Sequence, residues 1–105
     1  IKYSILDSSI GHAYHLYPLQ ISFEKINLSK KDLFSKMQDL NINLQVHYIP
    51  IHFQPYYKKN YGFKKGDYPN AEKFYSRQIS LPIYPDLSMN DVNHVINSLL
   101  KILND

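Results

Sequence analysis

Apolar residues along this chain change their spacing from one stretch to the next, and each spacing points to a different element. From His15 to Phe23, the run HLYPLQISF sets Leu19, Ile21 and Phe23 against Gln20 and Ser22, the alternation of a half-buried strand. Pro18 has no amide proton, so this strand is expected at a sheet edge or bulged at that point. Ser29 then stands three residues before Asp32, the spacing in which a hydroxyl caps a free amide and a carboxylate faces the positive helix end. Leu33, Phe34, Met37 and Leu40 follow on one helical face. The run from Ile42 to Tyr48 alternates again, with Ile42, Leu44, Val46 and Tyr48 opposite Asn41, Asn43, Gln45 and His47, which predicts a second strand with two chemically different faces.

Residues 49–70 keep no period and contain several prolines, glycines and tyrosines, so they read as a long loop of the kind that carries function. Asn70 is placed to cap a short helix to Gln78 with Ala71, Phe74 and Tyr75 inward, and Ile79 to Ile83 reads as a short strand stopped by Pro82 and Pro85. Ser88 and Asp91 repeat the serine-then-acid start. Val92, Val95, Ile96, Leu99, Leu100 and Leu103 then stripe a C-terminal helix whose partner is a sheet. The expected order is strand, helix, strand, long loop, short helix, strand, helix. This is a single α/β (α+β) domain with helices over a small sheet.

Composition narrows the function more than the fold. At 105 residues there is room for one core, and 44% hydrophobic with 20% charged residues is the profile of a folded chain. No stretch approaches the roughly 20 apolar residues of a membrane-spanning helix, so no membrane role is expected. The first residues, Ile1 to Ser9, have neither a basic start nor a long apolar run, and the chain reads as a piece of a longer protein. The absence of cysteine excludes disulfides and thiolate zinc sites and fits a cytoplasmic location. The net charge of +3 gathers partly at Lys58-Lys59 and Lys64-Lys65, a thin patch that a solvated loop explains without a nucleic-acid partner.

The densest polar and aromatic cluster runs from Gln45 to Tyr57, at a strand end and the start of the long loop. His47 lies on the polar face of its strand, where an imidazole can exchange hydrogen bonds with a ligand or simply be satisfied within the fold. A metal held by His47 and His52 lacks a third ligand, since no acidic residue lies between Asp39 and Asp67. No cysteine or serine falls inside the cluster to act as a nucleophile. The isolated Gly11, Gly62 and Gly66 make no phosphate loop. The cluster can bind but has no complete catalytic set.

Its motifs, His47-Tyr48-x-Pro50-x-His52-x-Gln54-Pro55-Tyr56, Pro69-x-Ala71-Glu72-x-x-Tyr75 and Ile79-Ser80-Leu81-Pro82-Ile83-x-Pro85-x-Leu87-Ser88, resemble the C-terminal part of the DegT/DnrJ/EryC1/StrS aminotransferases. His15-Leu16-Tyr17-Pro18 resembles the strand by which the chain enters that family's small domain, so the likeness runs from about His15 to Leu103. The resemblance implies the small C-terminal domain of a pyridoxal-phosphate-dependent, fold-type I aminotransferase, with a mixed or antiparallel sheet of three or four strands. Residues 1–14 would be a lead-in and residues 49–70 a loop near the active site. The large domain would lie outside this chain and hold pyridoxal phosphate and the Schiff-base lysine, so no residue here is expected to be catalytic.

By the same resemblance, Gln45, Val46, His47 and Tyr48 line a nucleotide-sugar pocket, with His52 and Tyr56 as further candidates in the loop. Gln45-Val46-His47-Tyr48 is similar to family members serving pseudaminic acid synthesis, which implies a UDP-linked 4-keto-6-deoxy-N-acetylhexosamine as substrate, glutamate as amino donor and a homodimer. Two other readings are kept. A stand-alone carbohydrate- or nucleotide-binding module would be stabilised by ligand on its own, and a basic nucleic-acid binder would show steeply salt-dependent binding.

Overall fold

The elements of the computed structural model, which describes residues 1–3 and 7–104, follow from local sequence signals. They are β1 (Lys2–Tyr3), β2 (Tyr17–Gln20), α1 (Lys30–Asp39), α2 (Pro55–Tyr61), α3 (Pro69–Arg77), β3 (Gln78–Leu81) and α4 (Met89–Asn104). Short 3-10 turns occupy Phe23–Lys25 and Ile51–Phe53. Both serine-then-acid starts form as expected. The Asp32 amide donates to Ser29 Oγ at 3.0 Å, and the Asp91 amide donates to Ser88 Oγ at 3.1 Å. Each serine hydroxyl donates in turn to the aspartate carboxylate at 2.6 Å, so the first helical turn is closed on both sides.

The three strands form one antiparallel sheet in the order β1-β2-β3. Tyr17 pairs with Leu81, Pro18 with Ser80, Leu19 with Ile79 and Gln20 with Gln78, while β1 covers only Leu19 and Gln20 on the other side. Pro18 is therefore in the central strand, not at an edge. It is tolerated because Ser80, opposite it, directs its own backbone groups the other way: Gln45 and Ser80 exchange hydrogen bonds at 3.1 and 2.7 Å. The Pro18–Ser80 pair is thus of the non-hydrogen-bonded kind, and the missing donor leaves nothing unpaired toward β3. β1 falls inside the expected lead-in, and residues 4–6 of that lead-in lie outside the described residues.

Leu19 and Ile79 face the core together with Leu33 and Met37 of α1 and Val95, Leu99 and Ile102 of α4. Leu33, Met37 and Ile79 are wholly buried, and each contributes about 1.5–3 kcal/mol relative to an exposed position. Leu40, expected on the inner face of α1, is exposed because it caps the helix end. Asn41 takes a left-handed conformation at φ 60°; its amide donates to the Gln38 carbonyl, and the Ile42 amide to the Met37 carbonyl. This closing turn drops Ile42 into the core in place of Leu40.

The expected strand over residues 42–48 is not formed as a ladder. It is extended chain whose one backbone bridge to the sheet, among the described residues, is Gln45–Ser80. The alternation holds through Ile42 and Leu44, which are buried, and then fails: Tyr48 is 69% exposed while His47 is half-buried. The loop expected over 49–70 contains a helix, α2, started by Pro55 and ended by Gly62 in the left-handed region at φ 67°. In α3, Tyr75 is half-buried as expected but Ala71 and Phe74 are exposed. The inward face is instead Glu72 and Tyr75, because Glu72 is held by His52 and the Tyr75 carbonyl by Lys30. Along α4, Ile96 and Leu100 are also exposed, and they flank an open apolar groove.

A candidate ligand-binding cleft

A cleft of about 620 Å³ opens between residues 41–48, the chain following β3 and the N-terminal half of α4. The turn after α1 brings the 41–48 segment alongside β3, and the Gln45–Ser80 bridge fixes its register. Gln45, His47 and Tyr48 line the cleft, joined by His15, Ser80 and Tyr84 and, from α4, by Asp91 and His94. Of the other sequence candidates, Val46 is half-buried and does not itself line the cleft. His52 and Tyr56 do not line it.

His47 is the most firmly held of these side chains. Its backbone amide donates to Gln78 Oε1 at 3.0 Å, and its Nδ1 lies 2.8 Å from Ser80 Oγ. The Gln78 amide nitrogen donates to the same Ser80 Oγ at 2.6 Å, closing a ring of three residues. Gln78 is fully buried and Ser80 is 3% exposed, so both their polar groups depend on this ring. The Tyr48 ring meets the His47 ring edge-on at 4.7 Å between centroids, and the peptide bond between the two residues is cis. His94 Nε2 lies 3.1 Å from the Leu40 carbonyl and, since a carbonyl only accepts, donates to it, tying α4 to the end of α1.

His52 has a different role in the fold. It is buried, its Nε2 lies 2.9 Å from Glu72 Oε1, and the Gly66 amide donates to that same oxygen at 2.7 Å. Glu72 thereby joins both ends of residues 52–66. The hydrogen bond from His52, and next the Gly66 amide, hold its carboxyl below the usual glutamate range. Rings continue from His52 through Tyr68, Phe63 and Tyr61 to Tyr57, with centroid separations between 4.9 and 5.8 Å. These rings pack the loop against itself, and Tyr56 stands exposed on its outer side.

Sequence reasoning missed Gln78 and Ser80. The signal was present: in a strand two residues apart they share one face, and a polar pair on a strand whose other residues are apolar marks a buried polar network. Among the described residues no group of three or more His, Asp or Glu side chains is arranged to hold a metal. Among the described residues no lysine lines the cleft. Lys30 is the half-buried lysine, and burial pushes it down from the ordinary lysine range. It sits between α1 and α3, with Nζ donating to the Tyr75 carbonyl at 2.8 Å and lying 5.1 Å from that ring's centroid.

The fold is a small α+β domain with a three-stranded antiparallel sheet, and its structural neighbours are aminotransferases. The chain belongs to the DegT/DnrJ/EryC1/StrS aminotransferase family, whose model matches residues 3–100. The spore coat polysaccharide biosynthesis protein SpsC of Bacillus subtilis is 42% identical over 93 residues, covering 88% of this chain and 24% of that protein. Helicobacter pylori PseC, an aminotransferase involved in the biosynthesis of pseudoaminic acid, superposes with a TM-score of 0.75 at 30% identity over 86% of this chain and 24% of its own. A putative sugar aminotransferase of Streptococcus pneumoniae, solved in its PMP form, gives a TM-score of 0.72 at 29% identity, covering 86% of this chain and 22% of that one. The chain spans about a quarter of the length of the curated relatives it matches.

Proposed function

We propose that residues 1–105 are the small C-terminal domain of a pyridoxal-phosphate-dependent aminotransferase that moves an amino group from glutamate to a nucleotide-linked 4-keto-6-deoxy sugar. The observation that carries this reading is the cleft in which Gln45, His47 and Tyr48 converge, in a chain whose family acts by transamination. Val46, half-buried between Gln45 and His47 in the chain, is assigned to the same wall. His52 belongs to the lock that holds residues 52–66, and Tyr56 to the exposed side of that loop, beside the active site of the whole enzyme. A UDP-linked 4-keto-6-deoxy-N-acetylhexosamine, as in pseudaminic acid synthesis, is the substrate we assign; the likeness to PseC supports it.

The cleft residues do not fit the cofactor. With no lysine in the lining and none of the glycines there, they offer neither an amine for its aldehyde nor a backbone cradle for its phosphate. Pyridoxal phosphate is therefore assigned to the large domain, and the likeness to an aminotransferase solved with PMP supports its use. The role of this domain is to bind and orient the sugar, and small misplacements of a reacting carbon lower rates by as much as about 10²-fold. The apolar groove of about 570 Å³ lined by Tyr17, Val92, Ile96 and Leu100 is assigned to the large domain as well. The working enzyme is a cytoplasmic homodimer in this account, and residues 1–105 alone are inactive.

The test is turnover by the full-length enzyme. It should convert glutamate to 2-oxoglutarate only when a nucleotide-linked keto sugar is supplied, and the 105-residue chain should not. Turnover with simple keto acids but with no nucleotide sugar would overturn the assignment.

A further inference from the structure

We infer that Gln78 and Ser80 fix His47 in the tautomer that carries its proton on Nε2, and so make it a hydrogen-bond donor to an oxygen of the bound ligand. One atom whose role is known determines the rest. The backbone N–H of His47 can only donate, so the Gln78 atom 3.0 Å from it is the amide oxygen. The other end of that amide is then NH₂, which donates to Ser80 Oγ at 2.6 Å. Ser80 is 3% exposed, and its hydroxyl proton needs an acceptor within the protein. His47 Nδ1, at 2.8 Å, is that acceptor. An accepting Nδ1 leaves the neutral ring's proton on Nε2.

The reverse arrangement, with Nδ1 donating to Ser80, would give the hydroxyl oxygen two donors and strand its own proton in a buried place. Gln78 cannot flip to relieve this without setting its NH₂ against the His47 amide. Among the described residues Nε2 of His47 has no hydrogen-bond partner, and His47 lines the cleft. A ligand with an acceptor oxygen at that point, such as a sugar hydroxyl, a carbonyl or a phosphate oxygen, is matched; a group that can only donate is rejected. Gln78 and Ser80 are positioning residues that act through His47. This inference rests on the proposed function for the identity of the ligand, but the tautomer itself does not.

The tautomer is read directly from two-bond nitrogen–proton correlation spectra of the 105-residue chain labelled with [¹⁵N]histidine, with His47 assigned by the loss of its signals in His47→Gln. We expect the Nε2-protonated pattern, with the Nδ1 resonance moving toward that of an unbonded ring nitrogen in Ser80→Ala and returning in Ser80→Thr. An Nδ1-protonated ring in the unaltered chain would overturn the inference, as would an Nδ1 resonance indifferent to Ser80→Ala. In the full-length enzyme, Ser80→Ala should raise KM for the nucleotide sugar by about 3- to 10-fold, the value of one hydrogen bond. KM for glutamate should stay unchanged and Ser80→Thr should recover the loss. Equal changes in both KM values would contradict a donor role. If the unaltered enzyme uses no nucleotide sugar, the proposed substrate falls and the spectra still decide the tautomer.

Discussion

Replacing Gln78 with alanine should destabilise the 105-residue chain far more than its polar character suggests. Gln78 is fully buried at the first residue of β3, and its amide is the acceptor for His47 N–H and a donor to Ser80. Removing it orphans a partly buried backbone donor, which costs about 2 kcal/mol, and removes about one methylene of apolar burial, about 0.8 kcal/mol more. The sum is about 3 kcal/mol, which for a domain of this size lowers the melting temperature by on the order of 15 °C. Equilibrium urea unfolding followed by tyrosine fluorescence measures it. Gln45→Ala serves as the reference, because that exposed side chain makes no hydrogen bond among the described residues while its backbone makes the bridge to Ser80; it should cost less than about 0.5 kcal/mol. A Gln78→Ala loss as small as that of Gln45→Ala would show that water satisfies the His47 amide and that the ring of three residues does not hold the cleft wall.

Two further outcomes are expected. The lowered carboxyl of Glu72 contributes stability that is fully present above the ordinary glutamate value of 4.5 and is lost as pH falls through its lower folded value. The groups facing Glu72 are His52, the Gly66 amide and Lys65. Glu72→Gln should flatten the acid limb of a stability–pH curve while keeping an acceptor for Gly66, and amide exchange over residues 53–65 should quicken in Glu72→Ala but not in α4. Asn41→Ala puts a side chain less suited to the left-handed region at φ 60° and should cost about 1 kcal/mol in thermal unfolding, whereas Asn41→Gly should cost nothing or stabilise.

Much of this architecture can be read from single residues. Ser29 and Ser88 announce α1 and α4 because a hydroxyl three residues before an aspartate acts locally, whatever the rest of the chain does. α2 was legible too, in the pairing of Pro55 at its start with Gly62 just past its end, but a tyrosine-rich sequence without an apolar stripe hid it: none of its residues is buried, and Tyr61 stacks on the neighbouring Phe63. The 42–48 segment misleads for the opposite reason. Its alternation is real, yet the His47 amide goes to the Gln78 side chain and not to a neighbouring strand, and alternation cannot report which partner an amide finds.

The cleft was half legible. Gln45, His47 and Tyr48 stand together in sequence and again in space. Ser80, Asp91 and His94 reach the same place only through the fold, from elements more than thirty residues away in the chain. His52 shares a motif with His47 but points into the loop's own interior, where Glu72 meets it. Two histidines five residues apart thus serve different ends, and only the burial of one and the cleft position of the other separate them.

Steady-state kinetics of the full-length enzyme and its His47→Ala variant, with the nucleotide sugar and glutamate varied in turn, test the central claim most directly. The account predicts that KM for the sugar rises about tenfold, the effect of losing one hydrogen bond and a ring contact, while KM for glutamate is unchanged. Unchanged sugar kinetics together with a lower melting temperature would contradict it, and would make His47 a residue of the fold alone.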